Sequence, residues 1–283
     1  MLLQLAVENF RSFRDRVEFS MRTVDSEPHS GPRARLSEGL HVLKCSAIYG
    51  ANASGKSNLI KALVFAKSLV TRGVSSKNSK IRVESFRLAT SSPREPTSFE
   101  FYIYSGGRIY AYSFSLFDSR IIAEKLMVSD SATFEKEELL FERSKDGYTF
   151  SPTCLESEPK AGFTDFVAGG TRDNQLFVQE AHERSLPFIE PLYRWFEDTL
   201  TIIQPDAEFR WLPRLADSNR DFRAYLQRVL GWADTGIIEV NTERRVLDAR
   251  LQEEVDTLLA DPKTRAIIES MRHRGAGPTV VEN

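Results

Sequence analysis

Cysteine is scarce: Cys45 and Cys154 are the only two in 283 residues. Two thiols so far apart make no disulfide framework, which suits a reducing, cytoplasmic setting. Histidine is almost as rare, and His29, His41, His182 and His273 lack the close spacing of a metal-ligand set. There is no G-x-S-x-G elbow and no cysteine nucleophile motif, which argues against covalent hydrolase chemistry. No apolar run approaches the roughly 20 residues that cross a bilayer. The start, Met1 to Glu8, has neither a basic opening nor a long apolar stretch, so no signal peptide and no membrane partner are expected. Charge of one sign is missing too. The formal net charge is −2, so any nucleic-acid surface has to be a local patch. What remains, 41% hydrophobic and 28% charged residues without repeats or low-complexity tracts, is the composition of a globular chain with one large domain or two lobes.

The strongest positive signal is Gly50-Ala51-Asn52-Ala53-Ser54-Gly55-Lys56-Ser57, followed by Asn58. It fits G-x-x-x-x-G-K-[ST]. Glycines at those positions let the backbone close around a phosphate chain with its N–H groups inward. Lys56 can then set an ammonium against the terminal phosphates, and Ser57 can offer a hydroxyl to Mg²⁺. Leu43 to Tyr49 reads as a strand entering the loop, with Cys45 as a small buried hydrophobe. Ser57 to Val70 reads as a helix leaving it, with its N-terminus facing the phosphates and Gly73 as its stop. ATP and Mg²⁺ are the ligands expected here.

Elsewhere the hydrophobic period divides the chain. Leu3, Leu5 and Val7, then Val17, Phe19 and Met21, alternate as two strands expected to pair antiparallel across the turn Asn9 to Asp15. Asp25 to Gly39 reads as a solvated loop. Residues 72 to 82 carry Arg72, Lys77, Lys80 and Arg82, again read as a solvated face rather than a nucleic-acid contact. From Ile81 to Phe150 the period is two, with turns at Gly106-Gly107 and Lys145-Asp146-Gly147, which gives an antiparallel meander. Its aromatics are read as sheet packing in preference to base stacking. Beyond it the period becomes helical, over Phe163 to Arg184, Phe188 to Leu200, Asp221 to Leu230, Glu243 to Leu259 and Lys263 to Arg272. The expected organisation is a nucleotide-binding lobe over 1–151 and a mostly helical region over 152–283. The fold class is α/β, a P-loop fold with a mixed sheet, an antiparallel meander and a helical region.

Hydrolysis needs more than this loop: an acid at the end of a buried strand to hold Mg²⁺, and a group that orients water. No apolar strand ending in a carboxylate follows the loop. Leu258 to Asp261 keeps helical period and runs into Pro262, and Val280-Val281-Glu282 is too short to judge. The catalytic acid is therefore unassigned, with Asp165 and Glu180 as fallback candidates. Leu36-Ser37-Glu38-Gly39 imitates a short nucleotide-contacting motif but precedes the loop and leads into a strand rather than a helix, and is read as coincidence.

Val7-Glu8-Asn9-Phe10-Arg11-Ser12-Phe13 together with Gly50 to Asn58 resembles the RecF/SMC-like branch of ABC-type ATPases. Within it the chain is most similar to the stand-alone AAA-type ATPases of bacterial defence operons, PtuA and OLD-like proteins among them. Asn174 to Phe177, Trp195 to Leu200 and Trp232 to Ile237 share the likeness. The resemblance implies that Arg11 approaches the nucleotide phosphates and that Asn52 lies beside the γ-phosphate. It implies a glutamine sensing Mg²⁺, for which Gln175 and Gln179 are candidates, although helix-surface glutamines are commoner. It implies a homodimer closing on two ATP molecules to switch a nuclease or toxin in anti-phage defence, with signature helix and acidic strand in a lobe that this sequence is expected to lack. A DNA-repair ATPase acting directly on DNA and a non-hydrolysing ATP-binding scaffold are the alternatives.

Overall fold

The computed structural model describes residues 1–23, 33–37, 39–89, 95–130, 137–204 and 211–242. Strands β1 (Leu2–Glu8) and β2 (Val17–Ser20) pair antiparallel across the Asn9–Asp15 turn, as the alternation predicts. Two further strands, β3 (Arg33–Ser37) and β4 (Leu40–Leu43), form a separate antiparallel hairpin. This corrects two expectations. The stretch expected to be a loop up to Gly39 contains a strand, and the strand expected to run from Leu43 to Tyr49 ends at Leu43. Residues 45–50 have no regular structure and are exposed, Tyr49 at 89%. The reason lies in the ladder: β4 takes its partner from β3 and from Met21, and among the described residues nothing pairs with 45–49. Cys45 is accordingly exposed, not a buried hydrophobe. Of the signature-like stretch, Leu36, Ser37 and Gly39 fall in this hairpin, and none of them opens a helix.

Helix α1 (Lys56–Thr71) leaves the loop and is followed by β5 (Thr97–Ser105), β6 (Arg108–Phe117), β7 (Arg120–Ser129), β8 (Glu137–Ser144) and β9 (Gly147–Phe150). The sheet order is β2-β1-β5-β6-β7-β8-β9, every ladder antiparallel. Gly106 and Gly107, at φ +58° and +86°, make the two-residue turn whose twist matches a hairpin. Alternation puts Phe99, Phe101, Ile103, Tyr112 and Phe114 on one face, where they are buried under α1. Phe65 of α1 stacks on Phe99, and Phe99 on Phe114, with centroids 5.3 and 5.1 Å apart. These rings are packing residues, as the alternation indicates, and are closed to nucleic-acid bases.

Short helices follow: α2 (Pro152–Glu156), α3 (Phe163–Gly170), α4 (Phe177–Glu183) and α5 (Glu190–Arg194), the last running into a π turn over Trp195–Thr199. The continuous helix expected over Phe163 to Arg184 is thus interrupted at 171–176. Those residues bond instead to the sheet and to the segment after α1. Arg143 donates to the Gln175 and Arg172 carbonyls at 2.8 and 3.3 Å, and the Ile121 amide donates to Asp173 O at 2.7 Å. A buried carboxylate starts the next helix. Glu124 Oε2 and Oε1 accept the Phe177 and Val178 amides at 2.6 and 3.0 Å, and Tyr112 Oη donates to Oε1 at 2.9 Å. Glu124 stands opposite Arg143 in the β7–β8 register, so the buried acid has a buried cation beside it.

The chain divides into compact units at Met1–Ile202 and Ile203–Asn283. The division falls later than the change of period after residue 151, because Leu176, Phe177, Ile189, Leu192 and Phe196 bury themselves in the core of the sheet. In the second unit α6 (Trp211–Ser218) precedes α7 (Arg220–Trp232), which Asn219 caps by accepting the Phe222 amide at 2.9 Å. The expected helices Glu243 to Leu259 and Lys263 to Arg272 lie outside the described residues.

Candidate phosphate-binding site

Every chemical feature of the site converges on the start of α1. Its N-cap, Gly55, has φ +97°, and no side chain caps the helix. The first turn contains no acid. The N-terminal amides of a helix have no intrahelical acceptor, and the aligned peptide dipoles favour an anion there. Lys56 reaches back across the loop, donating from Nζ to Gly50 O at 2.6 Å and Ala51 O at 2.7 Å. The ammonium is thus held at the mouth of the loop by uncharged carbonyls, which an anion can replace. The Ser54 amide closes the loop onto Ala51 O at 3.2 Å, and Ala53 takes φ +64°. Asn52, Ala53, Ser54 and Ser57 are exposed.

The Asn9–Asp15 turn is built against this loop. Asn58 Nδ2 donates to Ser12 Oγ at 2.8 Å. A Cβ on Gly55 would stand 3.0 Å from Ser12 Oγ and 3.1 Å from the Phe13 ring. Glycine is required there twice over, by the left-handed φ and by this close approach. Asn9 anchors the turn, donating to Glu95 O at 2.8 Å and accepting from the Phe86 amide at 3.1 Å, while Thr97 Oγ1 donates to Asn9 O at 2.8 Å. Arg11 sits in the same turn, and its guanidinium is paired with Glu84 at 2.6 Å. The two motifs read separately in the sequence are therefore one piece of structure. Ser12 and Phe13, quoted in the first motif but given no role of their own there, join them.

Other candidates lie elsewhere. Gln175 and Gln179 are buried, at 3% and 5% exposure, and do not sit on a helix surface. Gln175 Oε1 accepts from Arg172 at 3.1 Å and its Nε2 donates to Glu180 at 3.0 Å. Gln179 lies over Gly73, beyond the far end of α1. That helix has 16 residues, about 24 Å at 1.5 Å per residue, so Gln179 does not reach the loop. Glu180 is paired with Arg184 at 3.0 Å, and Asp165 is exposed in the first turn of α3. Among the described residues no group of three His, Cys, Asp or Glu could hold a metal ion. For Mg²⁺ the site could offer the Ser57 hydroxyl, and for a phosphate the uncapped start of α1 and the Lys56 ammonium.

A glycine loop, a trailing lysine and a serine at the uncapped start of a helix packed on a sheet define a P-loop ATPase fold of the α/β class. The chain belongs to the family described as "AAA domain, putative AbiEii toxin, Type IV TA system", which it matches over residues 45–252, more than half of its length. No curated protein matches it significantly. Among the described residues no helix is long and apolar enough to cross a membrane.

Proposed function

We propose that the chain binds Mg·ATP at Gly50 to Ser57 and acts as an ATP-gated switch for a partner nuclease or toxin in anti-phage defence. The observation that carries nucleotide binding is the meeting of the Lys56 ammonium with the uncapped, acid-free N-terminus of α1. In this reading the Gly50, Gly55, Lys56 and Ser57 backbone wraps the phosphates. Lys56 exchanges its two carbonyls for phosphate oxygens, and Ser57 contributes one ligand to Mg²⁺. Asn52, Ala53, Ser54 and Asn58 shape the loop, and Arg11 supplies a second cation. The family description, which names a toxin and a toxin–antitoxin system, supports the defence setting.

Switching would follow from differential binding. If the γ-phosphate is contacted only in a closed pair of chains, ATP shifts the population toward that pair. The first test is thermal. Mg·ATP at about a hundred times its Kd adds roughly 2.7 kcal/mol to a folded protein that binds it. The wild-type melting temperature rises, and Lys56→Ala abolishes the rise; coincident wild-type curves with and without Mg·ATP would remove the assignment. A DNA-stimulated turnover would move the reading to a DNA-repair ATPase.

A further inference from the structure

We propose that Glu84 is a counter-ion that holds Arg11 away from the phosphate loop, and that nucleotide phosphates compete with it for the guanidinium. The inference rests on the nucleotide-binding reading above. Arg11 touches Glu84 twice: its amide donates to Glu84 O at 2.8 Å, and Nη2 donates to Oε1 at 2.6 Å. The backbone contact fixes a residue in left-handed conformation, at φ +52°, beside the two residues that abut the loop. Turn and loop are thus fixed to each other, through Ser12 with Asn58 and Phe13 with Gly55. Only the side-chain half of the Arg11–Glu84 contact is free to change.

That half is weak. The two side chains are 28% and 49% exposed, and half-exposed ion pairs contribute little because water screens them. A triphosphate carries more charge than one carboxylate and presents oxygens that a planar guanidinium can bind in pairs. Lys56 is in the same condition, resting on two internal carbonyls. Both cations of the site therefore begin on acceptors of this chain, and phosphate has to displace each. Glu84 sets how readily Arg11 leaves.

The experiment is calorimetric titration of Mg·ATP, and separately ADP, into wild type, Glu84→Gln, Arg11→Ala and the double variant. Glu84→Gln leaves the backbone carbonyl in place and removes the charge. It should tighten nucleotide binding about two- to fivefold, the range set by a half-exposed ion pair. The same substitution made in Arg11→Ala should change nothing. Glu84→Ala should reproduce the gain. Wild-type affinity in a folded Glu84→Gln overturns the proposal. So does an equal gain without Arg11, which would be a diffuse effect of one fewer negative charge. Wild-type binding that Lys56→Ala abolishes but Glu84→Gln does not alter sinks the counter-ion alone. Absence of wild-type binding takes the nucleotide reading down with it.

Discussion

Glu124 shows how one buried acid can organise an element. It shares its inward parity on β7 with Leu126 and Val128, yet it carries a carboxylate into the core. Two amides, a phenol and the opposite Arg143 make that tolerable. Burial pushes its carboxyl pKa upward, while the amides of Val178 and Phe177 and the charge of Arg143 pull the other way without cancelling the rise. Truncation to alanine strands all three donors, so Glu124→Ala should destabilise by about 2–5 kcal/mol. Glu124→Gln separates charge from shape. The folded chain holds this proton at a pH where the unfolded chain has lost it. Stability from this group is therefore greatest at low pH and falls as pH rises above about 4 toward the raised value. Denaturant titrations at a series of pH values should show wild type losing stability relative to Glu124→Gln as pH rises. A constant difference would mean Glu124 does not titrate in that window.

At the scale of the element, α1 joins chemistry at one end to packing at the other. Its start is set by Gly55, whose missing Cβ makes room for Ser12 and Phe13. Gly55→Ala should weaken Mg·ATP binding and also cost about 1–3 kcal/mol without nucleotide, from strain at the left-handed φ plus the approach of Ser12 and Phe13. Its end is set by Gly73, at φ +58°, whose amide bonds to Ser68 O and Leu69 O, both at 3.1 Å. A Cβ there would collide with the Gln179 side-chain amide, and Gln179 is buried. Gly73→Ala should therefore cost about 1–3 kcal/mol, from strain plus the clash. Gln179→Ala in the same chain should relieve the clash and leave the strain, so the two substitutions are non-additive in a denaturant-melt cycle. Strict additivity would show that the side chain simply swings away.

At the scale of the molecule, the described residues hold no cluster of three metal-ligating side chains, and the fallback acid Glu180 is paired with Arg184. Phosphoryl transfer depends on positioned charge and positioned water. The 283-residue chain is therefore expected to bind ATP and to release phosphate far below about 1 s⁻¹, the lower end for phosphoryl-transfer enzymes. A phosphate-release assay with Lys56→Ala as blank checks this, and Lys56-dependent turnover at that rate would mean that an acid of this chain serves the loop. If ATP closes a pair of chains, sedimentation should show association with ATP that ADP does not produce. Arg11→Ala should weaken it without altering the melt.

Much of this protein was legible from residue order. The phosphate loop is one local run, and the meander announces itself because alternation and Gly106-Gly107 are read within a few residues. Fold class was thus determined by the sequence itself. Where burial depends on a remote partner, the sequence was silent. Alternation from Leu43 to Tyr49 marks a segment able to be a strand, but a strand exists only where a ladder forms, and β4 found its partner in β3. Gln175 and Gln179 look like surface residues until the 171–176 turn docks on the sheet through Arg143 and on the segment after α1 through Arg172 and Asn174. The contact of Ser12 and Phe13 with Gly55 joins residues more than 40 positions apart, and no local pattern records a distance in space. Tertiary structure alone decided it, because side-chain contact is fixed by packing and not by spacing along the chain.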